Sequence, residues 1–316
     1  MISLVSVIRM KATRRVNTHS MNLQVNMTTK STWPDSIEEY IVSAFKSASI
    51  HTPKDILSVD EQQLSKLTGL SVKTCKTARK AAVNLFAVPG ESAADFLACR
   101  VVLPCGMGDL DAALDGGLGL EWLVEIYGEA GSGKTQFCLT LAASTIARGQ
   151  RVFWIDSEGD FRPNRLVEIL DGRSASMDNL SVAKCNTVAE FLACIESVGM
   201  FCENTEIPPL MIIDSIAAIL KGSEMSKKEL CDIAETLKSM KCFVVCSNQV
   251  VADFAAVPGS ETYKPSLGST WSHLVTCRFL IDHVKNERNE RIIHVLKSPT
   301  CGPSIVSLRM TGNGLQ

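Results

Sequence analysis

Short apolar runs alternate along most of this chain with longer stretches in which apolar residues recur every three or four positions. Residues 123–127 (LVEIY), 152–155, 180–183, 210–213 and 243–246 read as buried strands, and residues 136–148 (QFCLTLAASTIAR) as an apolar-faced helix. Strands separated by helices predict a largely parallel sheet covered on both faces. The pattern then changes: residues 276–282, 292–296 and 305–308 follow one another with only short turns between them. These strands are expected to finish the sheet as antiparallel hairpins.

The N-terminal quarter is different. Ile37, Tyr40, Ile41, Ala44, Phe45 and Ala48 fall at helical spacing behind Ser36 and Glu39, a capping-box pattern. A second helix near 60–67 runs into Thr68-Gly69-Leu70-Ser71, with Gly69 to turn the chain and Ser71 to cap a helix carrying Val72, Cys75, Ala78, Arg79 and Ala82. Two helices joined this way resemble a helix-hairpin-helix, whose turn amides hold nucleic-acid phosphate with Lys73, Lys76 and Lys80 nearby; a helical bundle for protein contacts fits as well. Pro89, Gly90 and Pro104 break the pattern. The expected order is a basic flexible arm (1–34), a small all-α domain (35–86), a linker (87–104) and one large domain (105–316). The arm holds Arg9, Lys11, Arg14, Arg15 and Lys30 and no acidic residue. It reads as a mitochondrial transit peptide, a disordered extension, or sequence upstream of a start at Met10, Met21 or Met27.

Composition narrows this picture only a little. At 316 residues and 46% hydrophobic, the chain has room for one large core and one small one. A formal charge of −2 gives no global basic field. Twelve cysteines lie scattered without zinc spacing, so they read as core residues of a protein in a reducing compartment, nucleus or cytosol. No stretch approaches the roughly 20 apolar residues that span a bilayer, so no membrane is expected.

The chemistry gathers around residues 128–135, GEAGSGKT, a Gly-x4-Gly-Lys-[Ser/Thr] loop between a predicted strand and a predicted helix. Its glycines let the backbone wrap a polyphosphate, so Gly128, Glu129, Ala130, Gly131, Ser132, Gly133, Lys134, Thr135 and Gln136 are the candidate ATP or GTP cradle. Lys134 offers a charge to the β- and γ-phosphates, and the Thr135 hydroxyl a hard oxygen ligand for Mg²⁺. Asp214 ends the run LMII and should emerge beside the loop to hold Mg²⁺ through water, the Walker B position. The strand VFWID leads to Glu158, placed to polarise an attacking water. The strand CFVVC leads to Gln249, whose amide suits a γ-phosphate contact.

Taken in order, GEAGSGKTQ, IDSEGDFRPNRL, MIIDS and SNQV resemble the RecA-type recombinases of eukaryotes over residues 96–316. LGSTWSH, Arg278 and LKSP resemble the recombinase paralogues, and TWSH with the ending GLQ the B-type paralogue. The resemblance implies an α/β, RecA-like P-loop ATPase with a mostly parallel central sheet and antiparallel C-terminal strands, preceded by a small all-α domain. It also implies ATP and Mg²⁺ as cofactors, weak DNA-dependent hydrolysis, and homologous-recombination repair in the nucleus. Glu158 would then activate water, Gln249 would link nucleotide state to a DNA loop, and Lys134 would serve catalysis as well as binding. His273 would sense a neighbour's ATP in trans. Lys297 replaces an acidic residue of the strand-exchange enzyme, so it either reaches that neighbour's phosphate or is a solvated lysine. Implied partners are other paralogues in a hetero-oligomer, the C-type above all, with DNA met through the complex. Three departures bear on this. Gly90 stands where an anchoring Phe precedes Ala93; residues 221–226 make a short first DNA loop; residues 251–265 offer one basic residue, Lys264. Homofilaments and unaided DNA pairing are not expected. Glu121 also replaces a turn glycine.

Overall fold

The computed structural model describes residues 33–34, 36–86, 100–170, 176–221, 225–252, 263–284 and 286–316. Expectations for residues 1–32 of the arm (1–34), for the linker stretch that includes Gly90 and Ala93, for half of the first DNA loop (222–224) and for most of the second (253–262) fall outside these residues. The chain divides into two compact units, one within Asn17–Cys99 and one holding Arg100–Gln316.

The first unit is helical: α1 (Glu39–Ser47), α2 (Pro53–Leu57), α3 (Glu61–Thr68) and α4 (Val72–Phe86). Ile41, Phe45, Ile56, Leu64, Cys75 and Ala78 form its core, with Trp33 stacked on Phe45. The Ser36/Glu39 capping box does not form. Glu38 is the N-cap of α1 and makes no side-chain cap bond; the Ile37 amide instead donates to the Pro34 carbonyl in a turn that buries Ile37. The box belongs to α2, which the periodicity missed because five residues hold too little of it: the Thr52 amide donates to Asp55 and the Asp55 amide to Thr52 Oγ1, with Pro53 at the first position. Gly69 has φ +72°, and Ser71 Oγ accepts from the Thr74 amide at 3.1 Å.

In the second unit β1 (Val102–Leu103) pairs antiparallel with β2 (Leu118–Gly119), flanking α5 (Gly108–Ala113). Backbone pairing therefore takes up residues 102–103, which composition alone assigns to the linker. The main elements are β3 (Leu123–Gly128), α6 (Lys134–Ala147), β4 (Val152–Asp156), α7 (Pro163–Leu170), β5 (Leu180–Lys184), α8 (Val188–Glu203), β6 (Leu210–Asp214), α9 (Ile216–Leu220), α10 (Lys227–Ser239) and β7 (Phe243–Ala252). There follow β8 (Tyr263–Pro265), α11 (Gly268–Leu274), β9 (Cys277–Val284), β10 (Glu287–Lys297), β11 (Ser304–Thr311) and β12 (Gly314–Leu315).

These strands make one sheet in the order β12-β11-β10-β9-β3-β7-β6-β4-β5, with β8 beside β7. The pairs from β5 across to β3 are parallel. Strand β9 differs from the hairpin expectation: it joins β3 in parallel, and only then do β10, β11 and β12 continue antiparallel. Joining in parallel lets β9 close the buried flank of β3, where Cys277, Phe279 and Ile281 are wholly buried. Successive residues of a strand face opposite sides, so two cores result. Val124, Ile126, Leu210 and Ile212 pack under α6, while Leu123, Met211 and Ile213 pack under α8 and α10. Helix α6 is buried from Phe137 to Ile146, not on one face only; the hydroxyls of Thr140 and Thr145 are satisfied by carbonyls one turn back.

Among the described residues no helix is long and apolar enough to cross a membrane.

Candidate active site

Every parallel strand ends on the same side, and the loops beyond β3, β4, β6 and β7 meet there around a cleft of about 830 Å³. The 128–135 loop leaves β3 and enters α6. Gly131 and Gly133 have φ of +76° and +115°, which only glycine adopts without strain. A side chain on Gly128 would strike the Ile281 carbonyl at 2.3 Å. Gly128 is therefore required by space, and Gly131 and Gly133 by a backbone that other residues take only with strain.

The cleft brings Lys134, Thr135, Glu158, Asp214 and Gln249 together. Lys134 Nζ donates to the carbonyls of Gly128 (2.9 Å) and Glu129 (2.8 Å), folding back over its own loop. Burial draws the Lys134 ammonium below its usual pKa, opposed by the charges of Asp214 and Glu158. Thr135 Oγ1 donates to Asp214 Oδ2 at 3.0 Å, and Ser247 Oγ donates to Asp214 Oδ1. Burial pushes the Asp214 carboxyl up; the two hydroxyls hold it down and the nearby Glu158 charge adds to the rise. A carboxylate so penalised gains from a cation beside it.

Glu158 is set by the turn after β4. Asp156 Oδ1 accepts from the amides of Gly159 (2.8 Å) and Asp160 (3.2 Å), an Asx turn that throws Glu158 over the cleft. There Glu158 Oε1 accepts from Gln249 Nε2 at 2.8 Å and from Ser215 Oγ. The candidate water-activating carboxylate and the candidate phosphate sensor thus touch directly.

His273 and Lys297 stand apart from this cleft, which neither lines. His273 is exposed in the last turn of α11. Lys297 Nζ donates to the Val275 carbonyl at 2.5 Å and to the His273 carbonyl at 3.3 Å, capping the same helix end. Burial and the charges of Lys238 and Arg278 draw its pKa down.

Several residues went unseen in the sequence. Asp160, Arg165, Asn289, Arg291, Met310 and Gly312 also line the cleft. Arg165 bridges Gln136 Oε1 (3.0 Å) and the carbonyls of Thr311 (2.7 Å) and Gly312 (2.9 Å), clasping α6 to the last strands. One signal was available: in β10, Arg291 falls in phase with buried Ile293 and Val295, an arginine in an apolar register. Glu125 carries the same signal in LVEIY. It is wholly buried, paired to Arg278 Nε at 2.7 Å and accepting from Asn248 Nδ2 at 2.7 Å. Glu121 takes the left-handed conformation of the glycine it replaces, φ +67°.

The Rad51 family profile matches residues 99–316. The chain belongs to the Rad51 family. It is 29% identical over 302 residues to a maize protein named DNA repair protein RAD51 homolog B, with 87% of each chain covered. An Arabidopsis protein named meiotic recombination protein DMC1 homolog is 29% identical, covering 87% of this chain and 86% of its own. A bovine protein named DNA repair protein RAD51 homolog 4 is 25% identical, covering 82% of this chain and 87% of its own. Differently named members of this Rad51 family thus match to similar extents.

Proposed function

We propose that the protein is an ATP-binding, weakly ATP-hydrolysing recombinase paralogue that supports homologous-recombination repair of DNA breaks as one subunit of a hetero-oligomer. The observation that carries this is the convergence of Lys134, Thr135, Asp214, Glu158 and Gln249 on one glycine-shaped cleft. The donor set suits the expected group: a hydroxyl and a carboxylate 3.0 Å apart are hard oxygen ligands for Mg²⁺. Among the described residues the buried Ser132 Oγ has no partner, and the positive φ of Gly131 and Gly133 gives the loop a curvature that suits a phosphate cradle. Bound Mg-ATP would supply the cleavable anhydride and its charge neutralisation. The chain's own part is to hold that phosphate with Lys134 and the loop, to keep Thr135 and Asp214 at the metal position, and to hold a proton acceptor, Glu158, over the cleft.

Exposed His273 and the helix end capped by Lys297 lie off the chain's own cleft, which suits residues that finish a neighbour's site. The sequence at Gly90 lacks the aromatic plug of self-assembly, so the neighbour is read as another paralogue, the C-type first, with DNA met through the complex in the nucleus.

A specific observation favours a second reading. Glu158 already accepts from Ser215 and Gln249, so a structural adaptor could use bound ATP only to shape an interface. Two variants decide. Lys134→Ala should abolish ATP binding and repair. Glu158→Gln should keep binding but lower hydrolysis by roughly 10²-fold or more, and repair with it. Repair equal to wild type in Glu158→Gln would establish the adaptor reading; ATP binding unchanged in Lys134→Ala would overturn the nucleotide site itself.

A further inference from the structure

Strand β10 carries a charge where its pattern calls for an apolar residue. Arg291 is 5% exposed and lines the cleft, and its Nε and the Ile281 side chain each lie 3.4 Å from where a Cβ on Gly133 would stand. Its Nε donates to the Ser132 carbonyl of the P-loop at 2.7 Å, and one terminal nitrogen to the carbonyls of Arg288 (2.9 Å) and Glu290 (2.8 Å). These acceptors are neutral. Among the described residues Arg291 forms no ion pair, whereas Arg278, similarly enclosed, has Glu125 at 2.7 Å. A buried guanidinium that meets only carbonyls keeps its full positive potential, and burying it is costly unless an anion completes the arrangement. The nearest candidate position is the cleft itself, which Arg291 lines together with Lys134 and Thr135. The guanidinium is also set against the loop: a Cβ on Gly133 would lie 3.4 Å from its Nε.

We propose that Arg291 is a second fixed cation of the P-loop site, holding the Ser132 carbonyl outward so that the loop's amides face inward, and lending its charge to a bound nucleoside triphosphate. This rests on the nucleotide reading above. A neutral brace for the loop would need only the hydrogen bond to Ser132. A polyanion site needs the charge as well, and arginine provides both because it stays ionised under all ordinary conditions.

The test separates charge from brace. Arg291→Gln keeps an N–H donor and removes the charge; Arg291→Lys keeps the charge. In full-length protein, ATP and ADP affinities are measured by titration calorimetry with Mg²⁺ present, and nucleotide-free melting by circular dichroism. Arg291→Gln should bind ATP about tenfold more weakly and ADP about threefold more weakly, since charge attraction grows with phosphate charge, and should melt at or above wild type because a costly buried charge is gone. Arg291→Lys should bind ATP more tightly than Arg291→Gln. Wild-type ATP affinity in Arg291→Gln would overturn the proposal, as would equal losses in both variants accompanied by lowered melting, the signature of a brace alone. Wild-type protein that fails to bind ATP would overturn the nucleotide reading and this proposal together; wild type that binds beside an unaffected Arg291→Gln would overturn this proposal only.

Discussion

Strands β3 and β7 carry two polar sites that differ in what completes them. Midway along β3, Glu125 is enclosed by Arg278 and Asn248, Asn248 Oδ1 accepts from Ser266 Oγ at 2.7 Å, and the Arg278 guanidinium lies 4.7 Å from the centre of the Tyr127 ring. Every charge there has its opposite within the chain. At the strand ends, Lys134, Asp214 and Arg291 sit in an open cleft, bonded to carbonyls and hydroxyls. Carboxylates in both places are pushed up by burial, so titration alone does not tell them apart. The difference lies in access and pairing: one network stabilises the fold by being closed, the other is left for a ligand to close.

The largest expected effect comes from opening the closed network. Arg278→Met leaves Glu125 buried without its cation and should cost about 3–5 kcal/mol, read as a lower urea midpoint. The pH profile gives a second check. Burial raises the Glu125 carboxyl in the fold, so the stability linked to it is full below the usual glutamate value of 4.5 and is lost as pH rises through the folded value. Without Arg278 the folded value rises further, and stability should fall more steeply above pH 4.5 than in wild type. Combining Glu125→Gln with Arg278→Met should recover much of the loss; equal loss in the single and double variants would show that packing, not charge, holds this region.

That closed network also marks the limit of what the sequence shows. The loop at 128–135 was readable because its chemistry is local: glycines, lysine and threonine act from adjacent positions. Strand identities were readable from continuous apolar runs, and the ends Asp214 and Glu158 followed from them. Glu125 is visible as a charge in an apolar register, but the sequence does not name its partners. They come from β7 and β9, and only the parallel register that sets Glu125 opposite Arg278 brings them together. The contact of Arg291 with the P-loop is hidden for the same reason, since β10 reaches the loop through tertiary packing across 159 residues of sequence. The Ser36 box failed in the opposite direction: a local pattern was present, but burying Ile37 in a turn took precedence.

A smaller effect is expected at Asp214, with opposite sign in the two measurements. Asp214→Asn removes a carboxylate that burial already penalises, so nucleotide-free stability should hold or rise by up to about 1 kcal/mol. The variant should also lose part of the wild-type decline in stability as pH rises from the usual aspartate value of 3.8, because a raised carboxyl contributes fully only below that value. If Asp214 holds Mg²⁺ as proposed, Mg²⁺-dependent ATP affinity should nonetheless fall about tenfold or more. Destabilisation like that of Arg278→Met would place Asp214 with the closed network and erase the distinction between the two regions.

Lys297 lies between the two types and should show the smallest effect on the isolated chain. Its ammonium caps the end of α11 as a fold element does, yet its residue is exposed at the surface. Lys297→Met removes a charge-assisted bond that solvent screens, so the loss near pH 7 should stay at roughly 0.5–1 kcal/mol. Because burial, Lys238 and Arg278 depress its pKa, the associated stability is present above the usual lysine value of 10.5 and is lost as pH falls through the folded value. Wild type should therefore gain stability on going from neutral toward pH 10.5 relative to Lys297→Met. ATP affinity of the isolated chain should not change, since Lys297 does not line its own cleft. If Lys297 serves a neighbour, mixing the variant with a paralogue partner should lower the partner's nucleotide affinity although the variant itself folds and binds as before. An unchanged partner would leave Lys297 as a helix cap, on the closed side of the comparison.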